Sequence, residues 1–180
     1  MAQPIFQIFL GLNPALFGLA MTIPRIWDAF TDPVMGRISD RSQSRYGRRR
    51  PYVFVGALAV ALTFLTIWMV PQSMGDTGTF LWLTIGSVLF FTAFTVFSVP
   101  FNALVYEQTP DYHERTRLMF YLALFYNIGN LCVNWYVPAT NWSGFENPLV
   151  GARWIALGLA LVVFIGMGIL PAIFGKERFY

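Results

Sequence analysis

Charge is what this chain of 180 residues has least of. Asp, Glu, Lys and Arg make up 12% of it, about half the roughly 25% of a soluble globular domain. So few charges cannot wet the surface of a soluble protein this small. A single cysteine, Cys132, excludes a disulfide framework. It reads as a small apolar filler. A single histidine, His113, sits in Asp111-Tyr-His-Glu-Arg115 with no partner for metal or catalysis, and reads as an exposed loop residue. Disorder needs low hydrophobicity, whereas 56% of these residues are hydrophobic and 18% aromatic. The net charge of +3 is too small by itself to argue for nucleic acid.

What charge there is comes in clumps. Residues 1–24, 51–75, 77–106, 118–145 and 154–175 carry none. Each stretch exceeds the roughly 20 residues that a bilayer-spanning helix needs. The pattern predicts an all-α polytopic membrane protein, with helices over about 12–35, 52–70, 79–106, 117–138 and 152–174. The first stretch lacks the basic start of a signal peptide, since no Lys or Arg precedes Arg25. Ten of the twelve basic residues fall on one side: Arg37, Arg41, Arg45, Arg48, Arg49, Arg50, Arg115, Arg117, Lys176 and Arg178. By the positive-inside rule that side is the cytoplasm, and no nucleic acid is needed to explain the basic residues. The alternate loops, 71–78 and 139–151, hold none, and Arg153 lies just past the second. Five helices would then start outside and end inside. The simplest repair is a helix before residue 1, so the chain is expected to be a fragment or to have a misassigned start. With that helix it would make the N-terminal six-helix half of a twelve-helix transporter.

The first predicted helix carries Arg25, Asp28 and Asp32. At 100° per residue they lie within about 60° of one another, and Gly11, Gly18 and Gly36 share the stripe. Such a face is expected to meet another helix closely or to line a cavity. An intramembrane charge costs at least ~2.5 kcal/mol on insertion scales and marks an ion pathway by default. Two carboxylates one turn apart suit a small hard cation such as Na⁺, or a proton, and Thr31 or Thr95 can add a hydroxyl. The plainer alternative is a structural ion pair between Arg25 and Asp28. Asp28-x-x-x-Asp32 also resembles the Mg²⁺-diphosphate carboxylates of membrane prenyltransferases, but no second acidic cluster repeats the spacing. The chain does not read as an enzyme.

The basic segment runs Gly36-Arg-Ile-Ser-Asp40-Arg41-Ser-Gln-Ser-Arg45-Tyr-Gly47-Arg48-Arg49-Arg50. Lipid anchoring, about 1 kcal/mol per cation, explains its arginines but not Gly36, Asp40 and Gly47. Asp40 can pair with arginines across the turn. Gly-x-x-x-Asp-Arg followed by Gly-Arg-Arg resembles a loop of the major facilitator superfamily. The longer string from Trp27-Asp-Ala-Phe-Thr-Asp-Pro-Val-Met-Gly36 to Arg45-Tyr-Gly-Arg-Arg-Arg-Pro51 is similar to the glycoside–pentoside–hexuronide:cation symporters, the melibiose-carrier group. Weaker similarity includes Phe97-Ser-Val-Pro-Phe101 and Glu177-Arg-Phe-Tyr180.

The resemblance implies that these are the second to sixth helices of an N-terminal half, with the C-terminal half absent. It implies a coupling-cation site at Asp28, Asp32, Thr31 and Thr95. It also implies that the 36–51 loop acts as a cytoplasmic latch. Ser98 stands where the family's sugar carriers have an aspartate, Asn102 where they have a tryptophan, and Ala123 where they have an arginine. Symport is implied, a galactoside is not. Other groups suit a neutral polyol: Arg25, Phe94, Ser98, Asn102, Asn127 and Asn130, with Asn134 on the stripe of the last two. Their plain reading is interhelical hydrogen bonding. Ala57 with Ala61, and Ala152, Ala156 and Ala160, read as packing faces. Asn141-Trp-Ser143 matches a glycosylation sequon without other support.

The expectation is therefore a cation-coupled symporter of a sugar or glycoside in the cytoplasmic membrane. Its partners are that small molecule and membrane lipid, its coupling ion is Na⁺ or H⁺, and no other cofactor is called for. The missing half is expected to be needed for transport. The alternatives are an uncoupled facilitator and a truncated, non-transporting membrane module that assembles with partners.

Overall fold

The computed structural model describes residues 13–42, 47–71, 75–107, 111–140 and 148–169. Gly11, Arg45, the sequon at 141–143, Lys176 and the closing residues 177–180 lie outside them. Among the described residues all regular structure is helical. Helix α1 spans Pro14–Arg41, α2 Arg50–Trp68, α3 Asp76–Glu107, α4 Tyr112–Asn134, α5 Tyr136–Thr140 and α6 Pro148–Val163. A π-helical turn, Phe164–Ile169, continues α6.

Local chemistry sets the starts. The Asn13 side chain accepts the Ala15 N–H at 2.9 Å, and Pro14 opens α1, where its missing N–H is harmless. The Asp111 carboxylate accepts the His113 N–H at 3.0 Å and starts α4 earlier than the expected residue 117. That places Arg115 and Arg117 in the helix rather than in a loop. Helix α1 keeps its course through Pro24 and Pro33 and runs to Arg41, beyond the expected 35. No breaker follows Pro33, and a cation in the last turn suits the negative end of the helix. Trp135 interrupts the helix expected over 117–138.

Helices α2 and α3 alone, among the described residues, are both long and apolar enough to cross a membrane by length and composition. They pack antiparallel. Gly56 of α2 lies against Phe97 of α3, and Gly86 of α3 lies against Ile67 of α2. A Cβ on Gly56 would stand 2.6 Å from the Phe97 backbone nitrogen, closer than any real carbon approaches. Helix α1 lies along α3, and α6 packs on α2. Ala57 and Ala61 are buried in α2, as are Ala152, Ala156 and Ala160 in α6. These alanines form the packing faces their spacing predicts, since small side chains let membrane helices approach. Gly18 corrects an expectation: a Cβ there would meet nothing within 4 Å. The tight glycine contacts belong to α2 and to the π-helical turn, where a Cβ on Gly168 would stand 2.7 Å from Ala57, not to the charged stripe of α1. Helix α4 stands apart and is exposed over nearly all of its described side chains.

Gly56→Ala is predicted to destabilise the bundle by about 1–3 kcal/mol, the usual consequence of overpacking. Gly18→Ala has room and a better helix former, so it should hold or raise stability by up to ~1 kcal/mol. Thermal unfolding in detergent checks both. An unchanged melting temperature for Gly56→Ala would contradict the close crossing.

Candidate functional site

Helices α1 and α3 run parallel, and their seam carries polar contacts in register. The Arg25 guanidinium lies 5.0 Å from the centroid of the Phe91 ring. Trp27 Nε1 donates to Thr92 Oγ1 at 3.0 Å. One step on, Thr95 Oγ1 lies 2.7 Å from Asp28 Oδ1 and 2.9 Å from Asp32 Oδ1. Further along, the Cβ position of Gly36 is 3.8 Å from the Val99 side chain. Thr95 is 1% exposed, Asp28 half-buried and Asp32 exposed. The pair is thus walled by α3 on one side and open on the other.

A hydroxyl carries one hydrogen. Thr95 must therefore divide one hydrogen between Asp28 and Asp32. The two carboxylate oxygens thus meet at one shared hydroxyl. Two carboxylates and a hydroxyl are the hard oxygen donors that alkali and alkaline-earth cations prefer. Among the described residues no three His, Cys, Asp or Glu side chains converge, so this is a two-carboxylate site.

Thr31, expected to add its hydroxyl, instead donates to the Asp28 backbone carbonyl at 3.2 Å. Arg25 takes the aromatic face of Phe91 and makes no ion pair with Asp28. Ser98 is half-buried one turn beyond Thr95, and Asn102 is exposed one turn further. Phe94 is partly exposed and stacks on Phe90, with ring centroids 6.3 Å apart. Asn127 and Asn130 do not join the site. They are exposed and donate to carbonyls of their own helix, Ala123 at 2.8 Å and Tyr126 at 3.1 Å.

A second cluster closes one end of the bundle. Arg49 is buried, with Nη2 at 2.6 Å from Asp40 Oδ1 and Nη1 at 2.7 Å from Glu107 Oε1. Arg48 Nη2 also reaches Glu107 Oε1, at 3.0 Å. The start of α2 thereby ties the ends of α1 and α3. Gly47 has φ 107°, a left-handed conformation that a side chain would strain, and this lets the two arginines turn inward. Arg41 is exposed. Sequence reasoning found Asp40 as the partner but missed Glu107. Its signal was there, as the acid that ends the uncharged stretch 77–106. The Trp27–Thr92 bond was also missed, because neither residue carries charge.

Arg49→Gln is predicted to lower stability by about 2 kcal/mol, the worth of hydrogen bonds to charged groups. Arg48→Gln should lower it less, since Arg49 still holds Glu107. Chemical denaturation of the two variants side by side tests the ranking, and equal losses would contradict it.

Comparison with known proteins bears on the whole chain. Residues 6–178 match the family described as MFS/sugar transport protein. The uncharacterized symporter sll1374 of Synechocystis is 36% identical over 113 residues, which is 60% of this chain and 21% of the relative. The uncharacterized symporter YnaJ of Bacillus subtilis is 34% identical over 128 residues, 71% of this chain and 27% of the relative. The sodium-dependent lysophosphatidylcholine symporter 1-A of Danio rerio is 34% identical over 114 residues, 61% of this chain and 21% of the relative. The matched segments thus amount to about a quarter or less of these relatives' length.

Proposed function

We propose, for a chain that belongs to the MFS/sugar transport protein family, that it carries the coupling-cation site of a symporter in the cytoplasmic membrane. Asp28 and Asp32 hold Na⁺ or a proton, and Thr95 completes the site from α3. The observation that supports this most directly is the single Thr95 hydroxyl set at 2.7 and 2.9 Å from the two carboxylates. Symporter relatives support coupled transport, and the sodium dependence named for the lysophosphatidylcholine symporter favours Na⁺.

The transported molecule is a sugar or glycoside on this reading, in keeping with the family's description. Phe94, Ser98 and Asn102 present a ring, a hydroxyl and an amide on the turns of α3 around Thr95. Arg25 lies one turn before Asp28 on α1, and Asn127 and Asn130 of α4, outside the cation site, meet the substrate by exchanging their backbone bonds for its hydroxyls. Coupling follows from the shared helix. A cation that draws Asp28 and Asp32 onto Thr95 fixes α1 against α3, and so fixes Ser98 one turn away. Alternating access works by rocking two halves about a central site, with the Arg49 cluster as the latch at the cytoplasmic end.

The test is uptake by the intact protein in proteoliposomes under imposed Na⁺ or pH gradients, with sugars, glycosides and lysophosphatidylcholine as substrates. Asp28→Asn and Asp32→Asn should each lower accumulation on the order of 100-fold, as loss of a charged ligand worth about 3 kcal/mol implies. Thr95→Val should raise the cation concentration for half-maximal uptake by about 10-fold, equivalent to 1.4 kcal/mol. Full accumulation in both aspartate variants would falsify the cation site. Equilibration without accumulation in the unaltered protein would instead identify an uncoupled facilitator, and no uptake of any substrate would favour a non-transporting module.

A further inference from the structure

Arg153 is a basic residue that the segregation of charge does not explain, because it sits at the end of the bundle opposite the Arg49 cluster. It projects from α6 to the end of α2, where Nη2 donates to the Val70 carbonyl at 3.0 Å and Nε lies 3.4 Å from the Trp68 carbonyl. A guanidinium has five N–H groups, and these contacts use two. Among the described residues no carboxylate forms an ion pair with it.

Beside Arg153 opens a cavity of about 300 Å³ between α2 and α6. Its other walls are Leu65, Met69, Val150 and Leu157, with the indoles of Trp68 and Trp154. A third indole, Trp82, donates to the Thr66 carbonyl at 3.1 Å at the same level. Tryptophans gather where a bilayer's hydrocarbon meets its headgroups, so the exposed Trp154 with the half-buried Trp82 places this cavity near headgroup depth. Capping the end of α2 explains why Arg153 points where it does. It does not explain why a cation with spare donors borders an apolar cleft.

An apolar cleft with one cation on its rim complements an amphiphile with an acyl tail and an anionic head. We infer that the cleft binds an anionic phospholipid of the leaflet opposite the Arg49 cluster, with its phosphate on Arg153 and an acyl chain against Leu65, Val150 and Leu157. Arginine suits the role because its planar fork can hold two carbonyls and still present N–H groups to a phosphate. The inference requires only that the chain lies in a membrane and is independent of the transport reading.

Tryptophan quenching tests it. The intact protein in mixed micelles is titrated with acyl-brominated phosphatidylglycerol and, separately, with acyl-brominated phosphatidylcholine. Half-maximal quenching should come at a mole fraction of phosphatidylglycerol lower on the order of 5-fold, as one cation near an anionic headgroup gives. Arg153→Gln should erase the preference and Arg153→Lys should keep part of it. Trp154→Phe should remove much of the quenched signal. Leu157→Phe fills the cleft without touching the two carbonyl contacts, so it should weaken quenching even if Arg153→Gln fails to fold. Equal quenching by the two lipids, or a preference that survives Leu157→Phe, overturns the proposal. Oligomer size that falls in Leu157→Phe, with no lipid preference in the parent, assigns the cleft to a second copy and overturns it as well.

Discussion

Thr95 has one hydrogen to give and two carboxylate oxygens within reach of it. Much of the arrangement of α1 can be understood from that imbalance. A helix that carries Asp28 and Asp32 cannot present them to hydrocarbon, so the acidic stripe must turn to a polar partner. Helix α3 offers one at a single level, and the contacts on either side keep α1 in register with it. Arg25 on Phe91 and Trp27 on Thr92 hold one flank, and Gly36 beside Val99 holds the other. At the centre the two carboxylates share one hydroxyl, the place where the proposed reading puts the proton or cation. A structural ion pair would have closed the stripe on itself. Arg25 instead lies over the Phe91 ring and leaves both carboxylates to Thr95.

Helix α2 gives that seam its support. It crosses α3 so closely that Gly56 has backbone for a neighbour, and its first turn places Arg49 between Asp40 and Glu107. The ends of α1 and α3 are therefore joined through a third helix. Arg49 is 8% exposed while Asp40 is 57% exposed, so the arginine is the buried member and has the most to lose when the cluster opens. On the proposed reading, a movement that separates α1 from α3 must disturb both the carboxylate site and this cluster. Only a change at the first that repays the second will drive it.

Charge made much of this legible in advance. Uncharged stretches located the helices, and the spacing of Asp28 and Asp32 singled out the acidic face, with Thr95 as a hydroxyl in range. The failures have common causes. Thr31 sits beside the carboxylates in sequence, and its hydroxyl gives its hydrogen to the Asp28 carbonyl, as a helical threonine readily does, so only its lone pairs remain for a cation. Gly18 shares the stripe by angle, yet it faces outward while Leu16, Phe17, Ala20 and Met21 around it pack inward, because the packed face of α1 shifts between its start and its acidic stretch. Glu107 and Trp27 needed knowledge of which helix ends meet, which no single helix contains. The end of α1 went past Pro33 because proline removes one hydrogen bond without forbidding the turns that follow.

Helix α4 shows the same physics from the other side. Asn127 and Asn130 were read as substrate ligands from their stripe, and the structure has their amides on their own backbone carbonyls. An amide in an apolar setting with nothing across from it bonds whatever lies within reach, and on a helix that is the carbonyl one turn back. Such bonds are easily exchanged, because the carbonyl keeps its helical partner when the amide leaves. The exposed side of α1 at Asp32 and the asparagine stripe of α4 are thus both polar surfaces without a partner helix among the described residues. In a membrane neither is stable facing lipid. On the symporter reading these two faces border the central cavity, and the substrate's own hydroxyls are what the asparagines exchange their backbone bonds for.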